Sequence, residues 1–150
     1  MSKVEIRTHS GLHVVKGAAE RVLGAKRTAS VYVSGGHGRL TVQYERKPTD
    51  EEMRRIEKAA NDKIAEGTEV LDFEMEKAEA EGHFGDAIYD LFPLPPGTSR
   101  LHIVRIPDWN INTCNERHVE NTLQIGMIKI GKARYRNSKR QLEIEFDLVQ

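Results

Sequence analysis

A chain of 150 residues with 38% hydrophobic and 31% charged side chains can build one core under a charged surface, which excludes a disordered chain or a fibrous repeat. Its 23 basic and 23 acidic residues cancel, and its single cysteine excludes a disulfide within the chain. No apolar run approaches the roughly 18 residues a membrane span needs, and Lys3, Glu5 and Arg7 stand where a signal peptide places its apolar stretch, so a cytoplasmic protein of one domain, residues 1–150, is expected.

In chain order, Leu12, Val15, Ala19 and Val22 recur at helical spacing over residues 8–24, and Gly24 is a natural stop. Residues 28–33 alternate like a strand, Gly35-Gly36-His37-Gly38 supplies a turn, and Leu40, Val42 and Tyr44 resume the alternation, which predicts a β-hairpin. After Pro48, Thr49 and Glu52 form a capping box for a helix that presents Met53, Ile56, Ala60 and Ile64 on one face and ends near Gly67. Leu71, Phe73 and Met75 predict a strand, followed by a short acidic helix to about Gly82. Residues 93–97 (Pro-Leu-Pro-Pro-Gly) must be a loop. Further strands are predicted at 101–106, 125–135 and 142–148, the last alternating between apolar and acidic residues. Two longer helices with mainly hairpin-linked strands give an α+β fold with a mainly antiparallel sheet.

The neutral total hides an uneven charge distribution. Residues 1–47 hold nine basic and three acidic side chains, residues 48–90 five and fourteen, and residues 91–150 nine and six. Lys129, Lys132, Arg134, Arg136, Lys139 and Arg140 form a run without an acid among them. Such a run suits a nucleic-acid surface, and equally a solvated hairpin whose edge is protected by charge.

His9 and His13 stand four apart on the first predicted helix, so both imidazoles project from one face, at the flank of its apolar stripe. Cys114 and His118 repeat the spacing. Three imidazoles and a thiolate are a donor set that suits zinc, with ordinary core or capping histidines as the alternative. His37, His83 and His102 show no such arrangement. The first histidine is followed by Ser10 rather than Glu, unlike a zinc-protease helix, and the motifs of nucleobase deaminases, P-loops and Rossmann folds are absent. A Cys114–His118 nucleophile pair would lack an evident third, orienting residue.

The stretches Thr8-His9-Ser10-Gly11-Leu12-His13-Val14-Val15-Lys16-Gly17-Ala18 and Cys114-Asn115-Glu116-Arg117-His118-Val119-Glu120-Asn121-Thr122 together resemble the editing domain shared by alanyl- and threonyl-tRNA synthetases. Tyr89-Asp90-Leu91-Phe92-Pro93 and residues 125–130 make the chain most similar to the short, freestanding alanyl-tRNA editing proteins called AlaX, and with eight residues before His9 the N-terminal barrel of longer forms is not expected. The resemblance implies the α+β editing fold and a zinc ion held by His9, His13, Cys114 and His118. It also implies hydrolysis, in trans, of tRNA(Ala) mischarged with serine. By its place after the first helix, Thr28 resembles a threonine that family members use for the serine hydroxyl. Strand alternation is expected to put Thr28, Ser30 and Tyr32 on one face. The chain departs from the family pattern at Leu123-Gln124, where Gly-Glu is usual. Two other functions fit the same motifs: editing of seryl-tRNA(Thr), and a zinc-stapled RNA-binding module without activity. The basic run 129–140 is the expected tRNA contact. No general base stands out.

Overall fold

Ser2 opens the first helix, α1 (Lys3–Leu23), through a capping box in which its hydroxyl accepts from the Glu5 amide and the Glu5 carboxylate accepts from the Ser2 amide. The helix therefore starts five residues before the span predicted from its apolar stripe. Gly24, at φ 75°, ends it in the left-handed conformation. The structure, a computed structural model, describes residues 1–149. It is α+β, with the remaining elements in the order β1 (Thr28–Ser34), β2 (His37–Gln43), α2 (Asp50–Ala65), β3 (Leu71–Glu76), α3 (Lys77–Phe84), β4 (Arg100–Ile106), β5 (Asn110–Thr113), β6 (Ile128–Arg136) and β7 (Gln141–Leu148).

Two antiparallel sheets form, one in the order β1-β2-β7-β6 and one in the order β3-β4-β5. On β7 the predicted alternation holds: Leu142, Ile144, Phe146 and Leu148 are buried against Leu40 and Val42 of β2 and against the two long helices. α2 buries Ile56, Ala60 and Ile64 there, as its period requires. In the second sheet, Leu101 and Ile103 pack with Ala80 of α3 and with Ile88, while Val104, on the opposite face, joins the first core. That opposite face also carries Asp72 and His102, because side chains two apart on a strand share a face.

α1 is buried at every position from Thr8 to Ala19, so its polar side chains must find partners inside. The Thr8 hydroxyl shares its one proton between the carbonyls of Val4 and Gly35, and the Ser10 hydroxyl donates to Ile6 and accepts from the Val119 amide. Two elements differ from expectation. The predicted strand at 125–135 starts only at Ile128, because Thr122–Ile125 form a 3-10 turn capped by Asn121 and closed by Gly126 at φ 77°. There Gln124 accepts from the amides of Glu120 and Asn121, a capping task its amide oxygen performs in place of a carboxylate. The four-residue strand β5 carries no detectable period of its own.

Gly38 lies against the Phe146 ring, and a Cβ added there would stand 2.6 Å from the ring and 3.2 Å from the Thr8 methyl. Phe146 is fully buried and cannot swing away. Gly38→Ala should therefore destabilise the fold by about 1–3 kcal/mol in chemical denaturation.

Thr49 and Glu52 form the predicted capping box on α2, and Arg46 adds a bidentate pair to Glu52, both contacts at 2.8 Å. These bonds, the Arg46 guanidinium first, hold the Glu52 carboxyl down at about 2. A carboxylate lowered on folding stabilises the folded state above its ordinary range, and that contribution fades as pH falls towards about 2. Acid titration of the wild type against Glu52→Gln should show the difference between the two closing over that window.

Candidate metal centre

Four side chains from three segments converge beside α1. His9 and His13 stand one helical turn apart, Cys114 follows β5, and His118 lies on the segment between Cys114 and the 3-10 turn. That segment is fixed at both faces: the Val119 amide donates to Ser10 of α1, and the Val70 amide donates to the Glu120 carbonyl. His9 Nε2 is 3.1 Å from Cys114 Sγ, His13 Nε2 is 3.1 Å from His118 Nε2, and all four donor atoms lie within 4.8 Å of one another. Nitrogen ligands ~2.1 Å from a tetrahedral zinc are ~3.4 Å apart, so the cluster is near the size such an ion needs.

Burial tunes the donors. It lowers His9 to about 4, pushes His13 well below its ordinary value, and lowers His118. All three imidazoles are then neutral at pH 7 and keep a lone pair. Burial also pushes the Cys114 thiol up to about 11, so a cation must displace its proton on binding. The Asp72 carboxylate stands behind the donors and accepts from His118 Nδ1 at 3.1 Å. A neutral nitrogen and sulfur set backed by a carboxylate fits zinc.

Three of the four donors, His9, His13 and Cys114, line a cleft of about 460 Å³. Its walls include Val31, Leu40, Phe92 and the proline loop. Lys16, one turn beyond His13, is buried in the same cleft. Its ammonium donates to Asp90 at 3.1 Å and to the Asn112 side-chain oxygen, and Asn112 donates to Asp90 at 3.1 Å. Sequence reasoning singled out neither this network nor Asp72. The one available signal was that Lys16 stands four residues after Leu12 and beside Val15, next to the predicted apolar stripe.

Thr28 lines the cleft as well, but not in the company expected. A bulge between Thr28 and Ser30 shifts the register, so that Thr28 pairs with Val42 and Val31 with Leu40. Thr28 and Val31 thus share the face of Val42 and Leu40, Thr28 buried and Val31 partly open at 43% exposure, whereas Ser30, opposite Thr41, and Tyr32 are exposed on the other face. The face predicted for Ser30 is corrected by that extra residue. Thr28 is 2% exposed, its carbonyl accepts from Leu91, and its hydroxyl has no hydrogen-bond partner.

The basic run lies apart from this cleft, on the edge strand β6 and the turn after it, with all six side chains exposed. Strand pairing sets Asp147 opposite Lys129 and Glu143 opposite Arg134, and Arg136 bonds Glu143 at 2.8 Å. Lys132, at a second bulge, and Lys139 and Arg140, in the turn, escape that cross-strand neutralisation. Lys132 and Arg134 also border a groove of about 620 Å³ with Lys47 and Arg54. No helix among the described residues is long and apolar enough to cross a membrane.

No family model matches the chain. It is 35% identical over 130 residues to an alanine–tRNA ligase of Saccharolobus islandicus and 39% identical over 130 residues to that of Hyperthermus butylicus, in each case 83% of this chain and 14% of the ligase. The Methanopyrus kandleri ligase is 35% identical over 125 residues, 83% of this chain and 13% of its own length. The chain thus spans about one seventh of the curated relatives it matches, and it is homologous to a segment of alanine–tRNA ligase.

Proposed function

We propose that the protein is a zinc-dependent hydrolase that deacylates tRNA(Ala) mischarged with serine, acting in trans. The observation that carries this reading is the meeting, in one cleft, of a four-donor cluster and a buried hydroxyl without a partner. Homology to a segment of alanine–tRNA ligase supplies the substrate class. A bound zinc would supply Lewis acidity towards the ester, held by His9, His13, Cys114 and His118.

The chain's own residues would do the rest. Thr28 offers its hydroxyl to that of the seryl group. An alanyl group leaves Thr28 unpaired, and a site built to bond a hydroxyl can reject its absence by up to ~10⁴-fold. The Lys16–Asp90–Asn112 network stiffens the cleft and pins the loop that carries Phe92. The basic surface around Lys132, Lys139 and Arg140 takes the tRNA backbone, through charge rather than base contacts.

Release of the esterified amino acid from seryl-tRNA(Ala), alanyl-tRNA(Ala) and seryl-tRNA(Thr), measured side by side, tests the reading. Rapid release from the first alone is expected. Release mainly from seryl-tRNA(Thr) would move the protein to the threonine system, and release from none would leave a zinc-stapled RNA-binding module. The backbone contact has its own check. The double variant Lys132→Ala, Lys139→Ala should reduce the salt dependence of tRNA binding by about one unit of slope per lost contact. An unchanged slope would make the hairpin a solvated edge.

A further inference from the structure

We propose that Asp72 is a positioning residue of the metal centre, holding His118 in the one tautomer that can ligate through Nε2, with His102 fixing the carboxylate in turn. The inference rests on the reading of the four-donor cluster as a metal site. Neither Asp72 nor His102 belongs to that cluster.

The geometry constrains the protons. Asp72 Oδ1 lies 3.1 Å from His118 Nδ1 and 3.1 Å from His102 Nε2. An ionised carboxylate only accepts, so both ring nitrogens must donate. A neutral imidazole has a single N–H, and placing it on Nδ1 of His118 leaves a lone pair on Nε2. That lone pair faces the cluster, 3.1 Å from His13 Nε2. Rotation is blocked as well, because the His118 side chain is fully buried.

The fold aims the carboxylate. Asp72 pairs with Val104 across the β3–β4 ladder and His102 pairs with Glu74, which makes Asp72 and His102 diagonal neighbours on one face. Val104, on that face, packs into the first core, so the face is turned towards α1. The Cys114 amide donates to the His102 carbonyl, which anchors the ligand segment to the same strand. Asp72 is thus set on a sheet that is itself tied to two of the four donors. Asp90 is engaged by Lys16 and Asn112, and it is Asp72 whose carboxylate is hydrogen-bonded to His118.

Zinc affinity, measured by competition with a chromophoric chelator, separates positioning from a merely structural role. Asp72→Asn should bind zinc about 10- to 100-fold more weakly than the wild type. In a His118→Ala background the same substitution should change the affinity no further, because its effect passes through His118. His102→Gln, which keeps a side-chain N–H donor, should stay near the wild type. An unchanged affinity in Asp72→Asn, or an equal loss in both backgrounds, would overturn the proposal. Nitrogen NMR of the metal-free protein gives a second test: His118 should be protonated at Nδ1 in the wild type and mixed in Asp72→Asn, and identical spectra would overturn it. A wild type that binds no zinc would instead refute the metal reading, with the histidine spectra still deciding the role of Asp72.

Discussion

Removing zinc, or replacing Cys114 by alanine, should abolish deacylation and lower the melting temperature by roughly 10 °C. The size of the shift follows from linkage. A ligand present at a thousand times its dissociation constant stabilises the folded state by about 4 kcal/mol, and each kcal/mol moves the midpoint of a domain this size by about 2–4 °C. The architecture makes a large effect expected, since the donors join two separate layers. His9 and His13 belong to the helix packed on the four-stranded sheet, whereas Cys114 follows β5 and His118 is bonded to Asp72 of β3. A cation there staples one sheet to the other. Cys114→Ala deletes the only thiolate and leaves three imidazoles, so metal should be lost at chelator concentrations the wild type tolerates. Binding should also release a proton at neutral pH, because the Cys114 thiol is pushed up to about 11. Elemental analysis, calorimetric melting with and without chelator, and serine release on the same samples check it. Full activity in zinc-free protein would sink the idea.

The helical half of the donor set was legible because it depends on local geometry, whereas Cys114 and His118 lie in an irregular segment that no period announces. Residues four apart on a helix project from one face whatever the rest of the chain does, so His9 and His13 could be paired from their spacing alone. β7 was legible for a similar reason: one face is buried and the other wet, and its sequence alternates accordingly. What stayed hidden depends on partners distant in sequence. Asp72 reads as one more acid on the polar side of an alternating strand, and only the fold turns that side towards α1. Lys129 and Arg134 read as members of a basic run until strand pairing sets Asp147 and Glu143 across from them. β5 has four residues, too few for a period to show. The bulge in β1 is a backbone event with no residue signature, yet it decides that Thr28 and not Ser30 lines the cleft.

The Thr28 hydroxyl yields the other large effect. Thr28→Val should slow deacylation of seryl-tRNA(Ala) by ten- to a hundredfold or more, about 1–3 kcal/mol, while making the protein more stable. The two signs share one cause. Thr28 Oγ1 is buried and bonded to nothing in the protein, and an unpaired hydroxyl in that setting costs about 1–3 kcal/mol of folding free energy. Valine keeps the shape and the branching at Cβ, so the strand and its bulge survive and the four donors keep their places. Losing the hydroxyl removes the folding penalty, and with it the partner the seryl group requires. Alanyl-tRNA(Ala) should be cut no more slowly than before, since the polar atom left unpaired by its methyl group is gone. The discrimination ratio should fall accordingly. Ser30 provides a built-in control: it is exposed on the other face, so Ser30→Ala should leave both rates unchanged. The decisive measurement is denaturant stability together with seryl and alanyl deacylation rates, at equal zinc content, for the wild type and both variants. A Thr28→Val protein that is no more stable would mean the hydroxyl already has a partner, and an unchanged ratio would make Thr28 an ordinary core residue. Stability gained at the expense of discrimination is the pattern expected of a polar atom kept unpaired for a ligand.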